Sequence, residues 1–115
     1  MKIIRNNILP LGRRYVAINL FGILFVKRGC LLSPQLINHE SIHTRQMLET
    51  GIIFFYLLYI IEWIIRLFQT RFDTFAAYHK ISFEREAYTH GDDLSYLSSR
   101  RPYSMWRRRD KFLID

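Results

Sequence analysis

Hydrophobic positions change their spacing along the chain, and each change marks an element. Tyr15, Val16 and Ile18 precede Asn19 to Gly22, and Ile23, Leu24, Phe25 and Val26 follow it. That β-branched and aromatic content around an Asn and a Gly predicts two strands of a hairpin. Ser33-Pro34 then reads as a helix N-cap followed by proline at the first helical position, and neither Pro nor Gly interrupts the chain again before about Thr50. From Ile52 to Phe68 the residues are almost all apolar; Glu62 and Arg66, four apart, share one helical face. Phe72-Asp73-Thr74 can start a short helix through Tyr78, capped by Asp73 or Thr74. Ser82 reads as the N-cap of a further helix that His90-Gly91 ends, and Asp92 can cap a last one reaching about Ser99. The pattern predicts a mostly α chain with a small N-terminal β-hairpin, an α+β fold. Residues 1–115 form one domain: a hairpin region at 1–30, a helix at 33–50, an apolar helix at 52–69 and a helical region at 82–99. No internal repeat, low-complexity segment or interdomain linker is visible.

The second of these elements carries the chemistry. Asn38-His39-Glu40-Ser41-Ile42-His43 contains His-Glu-x-x-His inside a credible helix. Four residues are about one turn, so His39 and His43 project from one face and can bind the same tetrahedral ion. Glu40, about 100° round from His39, stands beside that ion as a general base rather than a ligand. His, His and carboxylate favour zinc, although the same set with open positions can also hold iron(II). The bland alternative is an amphipathic helix with polar residues on its outer face.

Zinc needs a third protein ligand. Glu49 stands where a longer pattern, His-Glu-x-x-His-x-x-Gly-x-x-His, has its third histidine. That pattern needs Gly at position 46 to end the helix; Gln46 stands there, and an unbroken helix carries Glu49 about 15 Å along the axis from His39. Gln46, three residues after His43, is better placed to support a ligand from behind, or simply to meet solvent. Glu84 and Glu86 in Ser82-Phe83-Glu84-Arg85-Glu86-Ala87-Tyr88 are the stronger candidates. They face about 200° apart, so one of them at most looks at a metal, and both also suit the positive end of a helix. Glu84 shares its face with Ala87, which permits close approach of two helices.

These residues resemble a family. His-Glu-x-x-His followed by a glutamate on a later helix is similar to the gluzincin arrangement of zinc metallopeptidases, and Glu84-Arg85-Glu86-Ala87 resembles the Glu-x-x-Ala-Asp signature of membrane-embedded heat-shock endopeptidases and CAAX prenyl proteases. The resemblance covers residues 33 to 90 and implies a minimal zincin-like helical core. It implies His39, His43 and Glu84 as zinc ligands, with Glu86 as the alternative, and Glu40 as the catalytic base of peptide-bond hydrolysis. Tyr88 stands where the signature has Asp, so Asp92 or Asp93 replaces that support of a histidine ligand, or it is missing. His39 to Gln46 also resembles the His-Glu-x-x-His-x-x-Gln of small zincins of unassigned activity. Tyr78, His79, Tyr88 and His90 are candidate donors to the oxyanion that forms at a cleaved carbonyl.

Composition adds a partner. Half the residues are hydrophobic and 16% aromatic, rich for 115 residues, so some apolar surface meets a membrane or another protein. Ile52 to Ile61 is the longest uninterrupted apolar run, short of the about 20 residues of an ordinary spanning helix. It predicts a helix lying in or dipping into one leaflet, with Trp63 and the tyrosines near the headgroups, or else a buried core helix. The net charge of +7 gathers at Arg13-Arg14, Lys27-Arg28, Arg100-Arg101 and Arg107 to Lys111, which suits an anionic cytoplasmic leaflet. A soluble cytoplasmic protein is the alternative. Nucleic acid is disfavoured, since no zinc-finger spacing or RNA-recognition signature occurs. Tyr15 to Val26 lacks the cleavage site of a signal peptide. A lone Cys30 fits a reducing compartment. The hairpin either covers the helix or offers an edge to an extended peptide substrate. Competing with the peptidase is a membrane-associated protein whose metal site is structural, closed by Glu86, His79 or His90, or vestigial.

Overall fold

Alternation in Ile23-Leu24-Phe25-Val26-Lys27 is the mark of a strand with one covered face, and Leu24 and Val26 are indeed fully buried between half-exposed neighbours. The computed structural model describes residues 2–9 and 16–107. This strand, β3 (Ile23–Lys27), is the centre of a three-stranded sheet. β2 (Ala17–Leu20) pairs with it antiparallel as the foreseen hairpin, and β1 (Lys2–Asn6) pairs parallel on its other edge. β1 is an addition to the expected hairpin: a parallel partner cannot be joined by a tight turn and leaves no local signal. Tyr15, Arg13-Arg14 and residues 108–112 of the basic terminal run lie outside the described residues.

The hairpin turns through Phe21 and Gly22, both at positive φ, the geometry that lets a two-residue loop follow the strand twist. Phe21 lacks glycine's freedom; its N–H donates to the Tyr56 hydroxyl at 2.9 Å and its ring meets the Tyr56 ring edge-on. Asn19, on the covered face of β2, donates to the Glu40 carbonyl and the Thr44 hydroxyl, both at 2.9 Å. The sheet is thereby pinned beside the helix that carries the histidines.

That helix, α1 (Pro34–Thr50), begins as its sequence demands, with Ser33 Oγ accepting from the Leu36 N–H at 3.0 Å and proline in the first turn. Gly51, at φ +85°, alone separates it from α2 (Ile52–Gln69), so the chain reverses without a loop. One face of α2 closes the core: Phe55 is buried with Met47, Ile81, Phe83 and Met105, and Tyr56, Tyr59 and Trp63 pack against them. Tyr56, Tyr59 and Trp63 thus lie on the face of α2 turned toward the protein. The opposite face leaves Ile53, Phe54, Leu57, Ile60, Ile61 and Phe68 exposed. By length and composition α2 could cross a membrane, and its outward face is uncovered.

α3 (Thr74–Lys80) is capped by Asp73, whose carboxylate accepts from the Ala76 N–H. α4 (Ser82–His90) follows at once, and here the capping expectation is corrected. Ile81 occupies the cap position, while Ser82 gives both its N–H (2.9 Å) and its hydroxyl (2.7 Å) to Glu62 of α2. Glu62 is the better acceptor because it is charged and already faces inward. α5 is one turn, Tyr96–Ser99; Asp93, not Asp92, organises its start by accepting from the Ser95 N–H and hydroxyl.

Candidate metal centre

Helical spacing on α1 sets two imidazoles over one turn, and α4 brings a carboxylate to them. The two helices approach closely because Ala87 is fully buried against Ile42, and because Asn38 of α1 donates to the Gly91 and Asp93 carbonyls at 2.8 and 3.0 Å beyond the end of α4. Glu84 in the first turn of α4 consequently meets His43 Nε2 at 3.1 Å and His39 Nε2 at 3.5 Å, and the two Nε2 atoms lie 3.2 Å apart. A tetrahedral zinc with bonds of about 2.0–2.1 Å separates its ligand atoms by about 3.4 Å. The three atoms present fit that ion, and they form the one group of metal-capable side chains found among the described residues.

Electrostatics argue the same way. Burial raises Glu84, yet His43, hydrogen bonds from His39 and His43, and the Tyr59 hydroxyl at 2.6 Å together hold it well below the usual carboxylate range. Burial opposes charge on His43, but Glu84 and then Glu40 outweigh it and push it up to about 9. Two imidazole nitrogens and an ionised carboxylate converging within hydrogen-bond reach repel unless a cation stands among them. Either a proton or a metal ion meets that need.

Gln46 lies directly behind His43, its Oε1 2.8 Å from His43 Nδ1 and its Nε2 2.9 Å from Glu86 Oε1. Glu86 itself points away from the three convergent atoms. It is fully buried, ion-paired with Arg100 and bonded by Tyr96. Glu49 is likewise engaged by Arg100, in agreement with its dismissal as a ligand. Asp93 does not replace the missing Asp of the signature: it is spent on Ser95, and the group behind His43 is Gln46; Asp92 borders the cavity that His39 lines.

Glu40 is largely buried, and loss of water raises its carboxyl, with His43 and His39 pulling the other way. It sits where two cavities meet. One, about 570 Å3, is lined by β2, His43, Glu84 and the rings of Phe55, Tyr56 and Tyr59; the other, about 960 Å3, by His39, His79, Tyr88 and Asp92. Ala17, Glu40 and Tyr78 border both. Tyr88 stacks edge-on against His39 and its hydroxyl donates to that of Tyr78 at 3.4 Å. Tyr78, His79 and Tyr88 therefore border the space beside Glu40, whereas His90 stacks on Tyr96 away from it. Tyr59 was missed as a partner of Glu84. Its signal was present: Phe55, Tyr59, Glu62 and Arg66 follow helical spacing, and the two charged residues mark that face on a largely apolar helix. No family model, no curated protein and no solved structure matches the chain.

Proposed function

We propose that the protein is a zinc-dependent metallopeptidase that works in association with a membrane. The observation carrying this reading is the convergence of His39 Nε2, His43 Nε2 and Glu84 Oε1 beside Glu40, at the junction of two cavities. Zinc in that position would lower the pKa of a water molecule and polarise a peptide carbonyl. Glu40 then takes a proton from the water and passes it to the departing amine, and its raised carboxyl suits a group that must both accept and return a proton. The Tyr78 hydroxyl, bordering both cavities, is the best-placed donor to the developing oxyanion, with Tyr88 behind it. β2 is bonded to β3 on one edge, and its residues Ala17 to Leu20 line the first cavity with Ala17 bordering both, so an extended peptide can add beside β2 across Glu40. A structural site would require a fourth protein ligand; Glu86 is bonded to Arg100, His90 stacks on Tyr96, and among the described residues only His39, His43 and Glu84 bring ligand atoms together, which favours a reactive centre. Membrane association rests on the uncovered apolar face of α2 and the +7 charge.

Metal content and peptide hydrolysis of three proteins test the reading. Wild type should carry about one zinc per chain and Glu84→Ala none. Glu40→Gln should keep the zinc and lose hydrolysis by about 10²–10⁴-fold. A wild type that takes up no zinc, or full turnover in Glu40→Gln, overturns it.

A further inference from the structure

The peptidase chemistry uses one side of α4 and leaves a buried charged cluster on the other without a role. Glu86 is fully buried, and its oxygens receive Arg100 Nε at 2.6 Å, Arg100 Nη2 at 3.0 Å, Gln46 Nε2 at 2.9 Å and the Tyr96 hydroxyl. Arg100 also donates to Glu49, near the end of α1, from Nη1 at 2.6 Å and Nη2 at 3.0 Å. A buried ion pair is a poor way to hold two helices together, since well-packed apolar residues commonly do as well or better. The cluster nevertheless touches a candidate metal ligand through a single amide.

We propose that Arg100, Glu86 and Gln46 form a positioning relay that fixes His43 with its Nε2 lone pair toward the metal, and so sets the affinity of the centre. The inference rests on the reading of His39, His43 and Glu84 as metal ligands. Gln46 Nε2 lies between two groups that only accept, Glu86 Oε1 and the Phe83 carbonyl at 3.0 Å. The NH2 end of the amide must therefore face them, and its oxygen must face His43 Nδ1. An acceptor at 2.8 Å requires a proton on Nδ1, which leaves Nε2 as the ligand atom. Arg100 completes the chain, because its guanidinium can only donate and it bonds both Glu86 oxygens, which therefore act as acceptors. With a neutral amide at position 86, the Gln46 side chain could turn over, present NH2 to His43, and favour the tautomer whose Nε2 carries the proton. Gln46, Glu86 and Arg100 are positioning residues, since none of them reaches the metal or the reacting atoms.

Zinc affinity, measured by competition with a chromogenic chelator on folded protein well below its melting temperature, tests this in wild type, Glu86→Gln and Gln46→Leu. Both variants should bind zinc about 10–100-fold more weakly. Gln46→Leu keeps the volume and the helix, so it serves where Glu86→Gln fails to fold. In the zinc-loaded wild type, long-range 1H–15N correlation should show a slowly exchanging proton on His43 Nδ1; Gln46→Leu should lose that protection. Lowered melting temperature with unchanged zinc affinity and an unchanged His43 spectrum would make the cluster structural only and overturn the relay. A wild type that binds no zinc overturns the metal centre itself, and the relay falls with it.

Discussion

Two glutamates on one short helix meet opposite surroundings. Glu84 looks onto two imidazoles and a tyrosine at the junction of two cavities; Glu86, about 200° round the same helix, looks onto a guanidinium sealed from solvent. Both carboxylates are buried and both are fully bonded. What differs is the cation. Arg100 supplies a permanent positive charge that the fold cannot exchange, whereas the charge facing Glu84 is a proton on histidine or a metal ion, and either can leave. Burial alone would not separate the two sites; the identity of the counter-charge does.

The largest difference should follow from removing the permanent cation. Arg100→Met leaves Glu86 buried without its charge partner and frees the segment after α5 from Glu49 of α1 and Glu86 of α4, which should cost about 3–5 kcal/mol of stability in urea unfolding of the metal-free protein. Adding Glu86→Leu should recover most of that loss, because the double variant replaces an ion pair with apolar packing. If Arg100→Met were no less stable than wild type, the description of this side as a locked charge pair would be wrong.

How much of the contrast could be read from the chain depends on sequence distance. α1 was legible to the residue at its start because Ser33-Pro34 is a local signal, and the His39–His43 pairing follows from one helical turn. The hairpin was legible from residue types; its parallel partner β1 was not, since pairing across more than fifteen residues leaves no periodic trace in Lys2-Ile3-Ile4-Arg5-Asn6. Spacing alone established that Glu84 and Glu86 face apart, but not which of them meets the histidines. That is decided by Arg100, which sits in a doublet that reads as a surface basic cluster: Arg101 is exposed and Arg100 is buried. Tyr59 had a fainter signal, because an apolar helix of this length fits one leaflet or a buried core alike and only the Glu62–Arg66 face shows where the protein lies.

Titration should separate the two sides next. His43, raised from about 6.5 to about 9, binds its proton more tightly in the folded protein than in the unfolded chain. Its contribution is complete below about pH 6.5 and is lost as pH rises through about 9, so the metal-free protein should lose roughly 3 kcal/mol across that window. The Arg100 side should contribute nothing there. Burial disfavours its charge, but hydrogen bonds to Glu86 and Glu49 raise it further above the physiological range. Zinc bound as proposed would replace the His43 proton, so the zinc-loaded protein should show little of this slope, and zinc affinity should climb with pH over the same interval. Denaturant titrations at pH 6.5 and 9, with and without zinc, measure both. A flat profile in the metal-free protein would mean that no exchangeable proton occupies the centre.

The smallest effects come from the two tyrosines, and they test the contrast most finely. Tyr59→Phe removes the donor 2.6 Å from Glu84 Oε2, one of a small set of charge-assisted bonds to that carboxylate, and should cost the metal-free protein about 1.5–2 kcal/mol. Because that bond also orients Glu84, zinc affinity should fall about tenfold. Tyr96→Phe removes the corresponding donor from Glu86, but Arg100 and Gln46 still supply three hydrogen bonds, so the loss should be nearer 1 kcal/mol and zinc affinity should hardly move. The two substitutions delete the same hydroxyl from equally buried carboxylates. A tenfold gap in zinc affinity between them therefore measures how far the exchangeable-cation side depends on each ligand's orientation, while the guanidinium side, held by several bonds at once, does not.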